Sequence, residues 1–243
     1  MRAILTWHSI DSSNSAISVS REQYGRQLGW LERSGVRVVA LEELLGLPDS
    51  VNAAALTFDD GLASVDSEAL PALEARGWSA TLFVVTSRVG FDNQWPGADD
   101  RVPTFATLGW ESLGQLQDRG FTIGAHTRHH PRLPRCDAAV LEDELVGAAE
   151  EIEARLGRRP AVFAYPYGEL DARCAARVAA VYRWGCTTEI RALGTGESAV
   201  RLPRIDARYL RGVALRQRWG SPALRWFFSW RRALRAMRLA VAR

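Results

Sequence analysis

Three short apolar runs in this chain each end in residues that the interior of a buried strand would reject. Ala53–Phe58 leads into Asp59-Asp60-Gly61, Thr122–Ala125 into His126-Thr127-Arg128-His129-His130-Pro131, and Ala161–Tyr165 into Pro166-Tyr167-Gly168. Runs this short, closed by turn residues, read as buried strands. Helical periods fill the gaps between them, and strands that alternate with helices pair in parallel, in a sheet that is open or closed as a barrel. In α/β barrels the C-terminal ends of the strands converge on one face. The three motifs are therefore expected to meet in space, and a length of 243 residues suits one large α/β domain.

The other elements follow the same alternation. Ala3–Trp7, Val36–Ala40, Ala80–Val85 and Trp184–Thr188 read as further strands. Ser20 starts a helix in which Gln23 completes a capping-box pattern and Tyr24, Leu28 and Leu31 space the buried face. Val65–Arg76 and Leu108–Arg119 read as helices closed by Gly77 and Gly120. Asp137 caps a helix with Leu141, Leu145, Ala148, Ile152 and Leu156 on one face, and Asp171–Val181 is another helix. Residues 87–106 form a long loop around Trp95, of a length that usually carries function or motion.

Taken alone, Asp-Asp-Gly is as readily a turn or a helix cap, and two histidines four residues apart in a loop can be incidental. The combination says more. Three of the four histidines lie within five residues, and the fourth, His8, also follows a strand. One carboxylate with two imidazoles makes an open three-ligand site for Zn²⁺ or a similar ion, with room for a reactive water. The second carboxylate is then available as a base. Cys136, Cys174 and Cys186 are scattered, which argues against a disulfide framework or a thiolate metal site and suits a reducing compartment. With no apolar run of eighteen residues and no leader-like start, the expectation is a cytoplasmic protein.

Thr57-Phe58-Asp59-Asp60-Gly61, His126-Thr127-x-x-His130 and Phe163-Ala164-Tyr165-Pro166-Tyr167-Gly168 together resemble the first three motifs of the polysaccharide deacetylases, the NodB-type carbohydrate esterases of family 4. The resemblance spans roughly residues 3–206 and implies a distorted (β/α) barrel of about seven parallel strands. It implies that Asp59 is the base, that Asp60, His126 and His130 hold one divalent metal ion (Zn²⁺, with Co²⁺ or Ni²⁺ as alternatives), and that the Tyr167 backbone N–H helps hold an oxyanion. Thr127 is expected to brace its loop through the hydroxyl, and His129 to be a solvated position rather than a ligand. Two departures stand out. Ala164 replaces an arginine that in the family orients the base, for which Arg204 or Arg191 could substitute. The late leucine-x-isoleucine-histidine motif is missing, its nearest match being Leu202–Asp206, and no histidine follows His130. Thr6-Trp7-His8-Ser9-Ile10 is similar to the N-terminal Tyr-His segment of the branch that includes poly-N-acetylglucosamine deacetylases, where that histidine is the acid. His8 is the corresponding candidate, expected across the metal from Asp59. Tyr165, Trp95 and Trp110 are candidates for lining a sugar groove, although tryptophans more often pack as core or anchors.

Charge divides the chain at residue 206. There is no lysine; residues 207–243 hold ten arginines and no acidic residue, while the rest carries a net charge of −7. The organisation read from this is a catalytic domain over residues 1–206 and a basic segment over 207–243. On a helical wheel for residues 222–243, Trp226, Phe227, Trp230, Leu234, Met237 and Val241 gather in one arc, and Arg225, Arg231, Arg232, Arg235 and Arg238 in another. Such a helix fits either an anionic membrane surface, at its cytoplasmic face, or docking on the barrel. A basic face confined to one tail on an acidic body argues against nucleic acid as partner. The expected activity is N-deacetylation of an amino sugar in a glycan or glycoconjugate. The alternatives are a deformylase or O-acetyl esterase on a lipid-linked sugar, and a non-catalytic carbohydrate-binding protein.

Overall fold

The computed structural model describes residues 1–241, with side chains as far as Met237. Its elements are β1 (Arg2–Trp7), β2 (Ser9–Ile10), β3 (Ser18–Val19), α1 (Arg21–Arg33), β4 (Arg37–Val38), α2 (Leu41–Gly46), β5 (Ala53–Phe58), α3 (Leu70–Glu74) and β6 (Thr81–Val84). Then come α4 (Trp110–Asp118), β7 (Thr122–Ala125), α5 (Ala138–Glu142), α6 (Ala148–Leu156), β8 (Val162–Ala164), α7 (Ala172–Val181), β9 (Trp184–Cys186), β10 (Ile205–Asp206) and α8 (Pro222–Val241). The main sheet runs β10-β1-β5-β6-β7-β8-β9, all rungs parallel, and curls into a distorted (β/α) barrel. The strand expected over Val36–Ala40 shrinks to β4, which shares one edge of β5 with β6: it pairs with Ala53 and Ala54, and β6 takes over from Thr57.

Period-two alternation decides which side chains enter the barrel. Ile4, Ala53, Ala55, Phe83, Val162, Ala164 and Cys186 share one cluster on the inner face. Their alternates Ala3, Leu5, Trp7, Ala54, Leu56, Phe58 and Phe163 pack outward with the helices in the larger cluster. Continued past the strand ends, the inward parity of β1 and β5 falls on His8 and Asp59.

The segment after β9 brings the two ends of the sheet together. Leu202 bridges to Cys186 of β9, and three residues later Ile205 pairs with Leu5 of β1. Arg204, between them, is 1% exposed and shares the inward parity of Leu202. Ser20 caps α1 as its sequence suggests, accepting from the Gln23 N–H. The Gln23 side chain does not complete the box; it donates to Leu210 O at 3.0 Å. Residues from 207 onward pack on the body: Leu210, Ala214, Trp219, Leu224 and Phe228 join the larger cluster, and the Trp219 indole donates to Met1 O at 2.7 Å.

Candidate active site

Asp59 and Arg204 form the most constrained pair at the C-terminal end of the barrel. Arg204 Nη1 and Nη2 donate to the two Asp59 oxygens at 2.6 and 2.8 Å. The guanidinium also donates to Thr187 O at 3.0 Å, Thr6 Oγ1 at 3.2 Å and Thr57 Oγ1 at 3.3 Å. Burial alone would raise the Asp59 pKa, but the Arg204 charge, with His126 and His8, holds it well below the usual carboxylate range. The guanidinium that the third motif lacks at Ala164 is thus supplied on Asp59 from the closing segment. Arg191 lies elsewhere: it pairs with Glu197 and Glu189. Its own acidic neighbours, six residues and two residues away in sequence, hold it away from Asp59.

Asp60, His126 and His130 are brought together, with ligand-type atoms all within 4.8 Å of one another. His126 Nε2 lies 3.6 Å and His130 Nε2 3.7 Å from the same atom, Asp60 Oδ1. A tetrahedral ion with bonds near 2.1 Å would hold such atoms about 3.4 Å apart, so each imidazole nitrogen already stands near that distance from Asp60 Oδ1. His126 Nδ1 donates to Ala164 O at 2.7 Å, which turns Nε2 toward Asp60 and fixes the tautomer a metal ligand needs. Burial lowers the pKa of both rings, and the neighbouring His126 lowers that of His130 further, so both are neutral. Burial raises that of Asp60. Asp60 Oδ1 is a buried acceptor without a hydrogen-bond partner. An orphaned carboxylate oxygen facing two neutral imidazole nitrogens is a donor set that fits a divalent cation.

The backbone is strained where these side chains converge. Five non-glycine residues among those described have positive φ, and four belong to the motifs: Asp60 (70°), Thr127 (70°), His130 (59°) and Tyr167 (60°). Each such residue costs on the order of 1–3 kcal/mol, which the surroundings must offset. Thr127 Oγ1 does so by accepting the His130 N–H at 2.9 Å. At Tyr167 the turn bonds run from Gly168 N–H to Tyr165 O and from Glu169 N–H to Pro166 O, not from the Tyr167 N–H. Gly168 is the one residue this turn accepts: its φ is 72°, and a Cβ there would lie 2.0 Å from Thr188 Oγ1.

His8 stands beside Asp59 rather than across the cluster from it, with Nε2 3.8 Å from Asp59 Oδ2. It is the inward alternate of Ile4 and Thr6, which places it at the lip of the cavity. That cavity, about 230 Å³, is lined by His8, Asp59, Asp60 and both histidines, with Ala16 and Ile17 on one side and the 91–106 loop on the other. Trp95, from that loop, lies on the His130 ring with centroids 4.1 Å apart. Tyr167 meets the same ring edge-on at 4.7 Å. Tyr165 reaches the cavity wall, but its hydroxyl donates to Val200 O at 3.0 Å. Trp110 does not reach it; as the first residue of α4 it packs on the helical layer beneath Arg155.

Two supporting residues were not singled out from the sequence. The Glu144 carboxylate, 3% exposed, accepts from the Arg128 and His129 N–H groups at 2.9 Å each and from His129 Nδ1 at 2.7 Å. It therefore clamps the loop between His126 and His130. It sits in a widened π turn, Asp143–Gly147, between α5 and α6. The signal for it was an acidic residue beside Leu145 and one turn from Leu141, on a face otherwise apolar. Asn93 staples the long loop, donating to Pro103 O at 3.1 Å and accepting from Phe105 N–H at 2.8 Å.

Comparison with known proteins bears on the family and the fold. A family model described as polysaccharide deacetylase matches residues 47–183. The putative polysaccharide deacetylase YxkH of Bacillus subtilis is 24% identical over 210 residues, covering 83% of this chain and 70% of that one. BC0361, a polysaccharide deacetylase from Bacillus cereus, superposes with a TM-score of 0.71 at 22% identity. The match covers 85% of this chain but only 64% of that one. The Streptococcus pyogenes deacetylase PplD, solved in complex with acetate, superposes at 0.70 with 23% identity, over 84% of this chain and 91% of that one. At these identities the structural likeness is one of fold.

Proposed function

The chain belongs to the polysaccharide deacetylase family, and from that premise we propose that it removes an N-acetyl group from an amino sugar in a glycan or glycoconjugate, using one divalent metal ion and releasing acetate. The observation that carries this reading is Asp59, locked by Arg204, beside the Asp60, His126 and His130 donor set. We assign Zn²⁺ to that set, which would also accept Co²⁺ or Ni²⁺. A divalent ion held there supplies Lewis acidity, polarising the amide carbonyl and acidifying the attacking water.

The chain's own residues do the rest. Asp59 receives the proton of the attacking water. Because Arg204 keeps it ionised, Asp59 is in the accepting state throughout the neutral range, though its intrinsic basicity is low. A weak base benefits from a second acceptor, and His8 Nε2 lies 3.8 Å from it. In this reading the proton passes from Asp59 to His8, and His8 delivers it to the departing amine, a poor leaving group until protonated. The Tyr167 N–H stabilises the tetrahedral oxyanion, a contribution of about 3–4 kcal/mol for a well-placed donor. Trp95 gives the sugar one wall, and Tyr165, fully buried with its hydroxyl on Val200 O, backs the cavity without an exposed face of its own. The intact base and ligand constellation speaks against a binding protein without activity. Three free cysteines support a reducing, cytoplasmic setting.

Acyl release from a panel of soluble N-acetyl, N-formyl and O-acetyl sugars tests the reading. Acetate from N-acetyl substrates is the expected product. Formate alone, or acetate from O-acetyl esters alone, would replace the N-deacetylase reading with the corresponding hydrolase, and no product from any would favour a binding role.

A further inference from the structure

Helix α8 is three-sided, and among the described side chains two of its sides are used within the chain. Leu224 and Phe228 are buried against the body, with Phe227, Arg231, Leu234 and Arg235 half-buried beside them. The Arg231 guanidinium lies over the Tyr209 ring at 4.8 Å, and Arg232 pairs with Glu189 at 3.2 Å. On the far side Trp226, Trp230 and Met237 are 68%, 44% and 56% exposed, and the two indoles stack parallel. The arc expected from the wheel is therefore split: Phe227 and Leu234 turn toward the body, while Trp226, Trp230 and Met237 stand out. Val241 and the side chain of Arg238 lie outside the residues whose side chains are described.

We propose that this exposed face docks on an anionic lipid surface. The stripe spans only about 40° of the helix circumference, among alanines, over about 16 Å of length. That is too narrow for a protein interface, which needs about 800 Å² per partner. It suits aromatic side chains set into a headgroup layer by a helix lying in the plane. The charge agrees, because ten arginines and no acidic residue lie in 207–243. Arg211, Arg216, Arg218 and Arg225 are exposed and make no salt bridge among the described residues. Among the described residues no helix is long and apolar enough to cross a membrane. The helix also reaches the active site. Arg235 donates to Thr188 O at 2.7 Å and Thr188 Oγ1 at 2.9 Å, and Thr188 lines the cavity. An amino sugar carried on a lipid would meet the cavity at that surface; this part rests on the deacetylase reading, while the docking face does not.

The test compares the full chain with W226S/W230S in co-sedimentation with phosphatidylcholine vesicles, with and without phosphatidylglycerol. Truncating α8 is avoided, because it would remove the buried Leu224 and Phe228. Wild type is expected to bind the anionic vesicles, to weaken as salt is raised, and to lose at least about tenfold in affinity in the double variant. Both proteins should release acetate equally from a soluble substrate. Wild type remaining in the supernatant at low salt, or the double variant binding as well as wild type, would overturn the proposal. So would a wild-type dimer, seen by light scattering and lost in the variant, without vesicle binding. With an N-acetylated sugar lipid in the anionic vesicles, release is expected to fall in the variant in step with its binding. Unchanged release from that lipid would overturn the placement of the cavity while leaving the docking result standing.

Discussion

Replacing Arg204 with methionine removes five hydrogen bonds and leaves the Asp59 carboxylate buried without its cation. Breaking one side of a buried ion pair destabilises by about 3–5 kcal/mol. In a chain of this size that corresponds to a fall in Tm of roughly 6–20 °C. The effect carries a sign in pH. In the wild type Asp59 is held below its ordinary value of 3.8, so its contribution to stability is present above that value and is lost as pH falls through the lower folded one. In the variant, burial acts unopposed and raises the Asp59 pKa, so folding takes up a proton. The deficit of Arg204→Met should therefore be largest at neutral pH and shrink as pH falls toward 4. Urea denaturation from pH 4 to pH 8 measures this, alongside Asp59→Asn and the double variant. The neutral pair in Asp59→Asn/Arg204→Met should recover most of the stability that Arg204→Met loses. A single variant within 1 kcal/mol of wild type at pH 7, or a deficit that does not vary with pH, would refute the argument that this pair is a mutually dependent buried charge couple.

Three further outcomes are expected. Asp59→Asn should lower kcat by at least about 100-fold while metal content by elemental analysis stays at wild-type level, since the change removes a base and no ligand. His8→Ala should reduce turnover of an amide far more than that of an activated aryl ester, whose leaving group needs no proton; equal losses on both would remove His8 from the acid role. Glu144→Ala should weaken metal affinity by about 10–100-fold, as outer supports of ligands do, and Glu144→Gln should recover part of it through its remaining carbonyl acceptor, read by competition with a chromophoric chelator.

Much of this site was legible because parity and position carry it. Asp59, Asp60 and His126 all stand just past the C-terminal ends of strands, so their convergence could be argued before any coordinates; strand parity then points Asp59 and His126 inward, while Asp60, of the opposite parity, comes in through its positive φ of 70°. The same parity places His8 inward, but it gives no azimuth around the barrel. His8 was expected across from Asp59, whereas β1 and β5 are adjacent strands, and adjacency puts the two side chains on the same wall. Arg204 and Arg191 could not be told apart by local sequence. What separates them is the closing segment, where Leu202 and Ile205 grip opposite ends of the sheet and leave Arg204 between them. Trp110 and Trp95 were equally plausible as groove residues. Loop 91–106 folds back over His130 while α4 faces the helical layer, a choice set by tertiary packing. Glu144 was hidden because the π turn that aims it at the histidine loop has no simple local signature.

Hydrolysis by this chain is expected to require one divalent ion held by Asp60, His126 and His130. The most direct test of that requirement is a titration of chelator-stripped protein with Zn²⁺, following acetate release from an N-acetylated amino-sugar substrate against equivalents of metal added. No release is expected at zero metal, then a linear rise, and a break at one equivalent per chain. Full activity in the stripped protein, or a break at two equivalents, would contradict it.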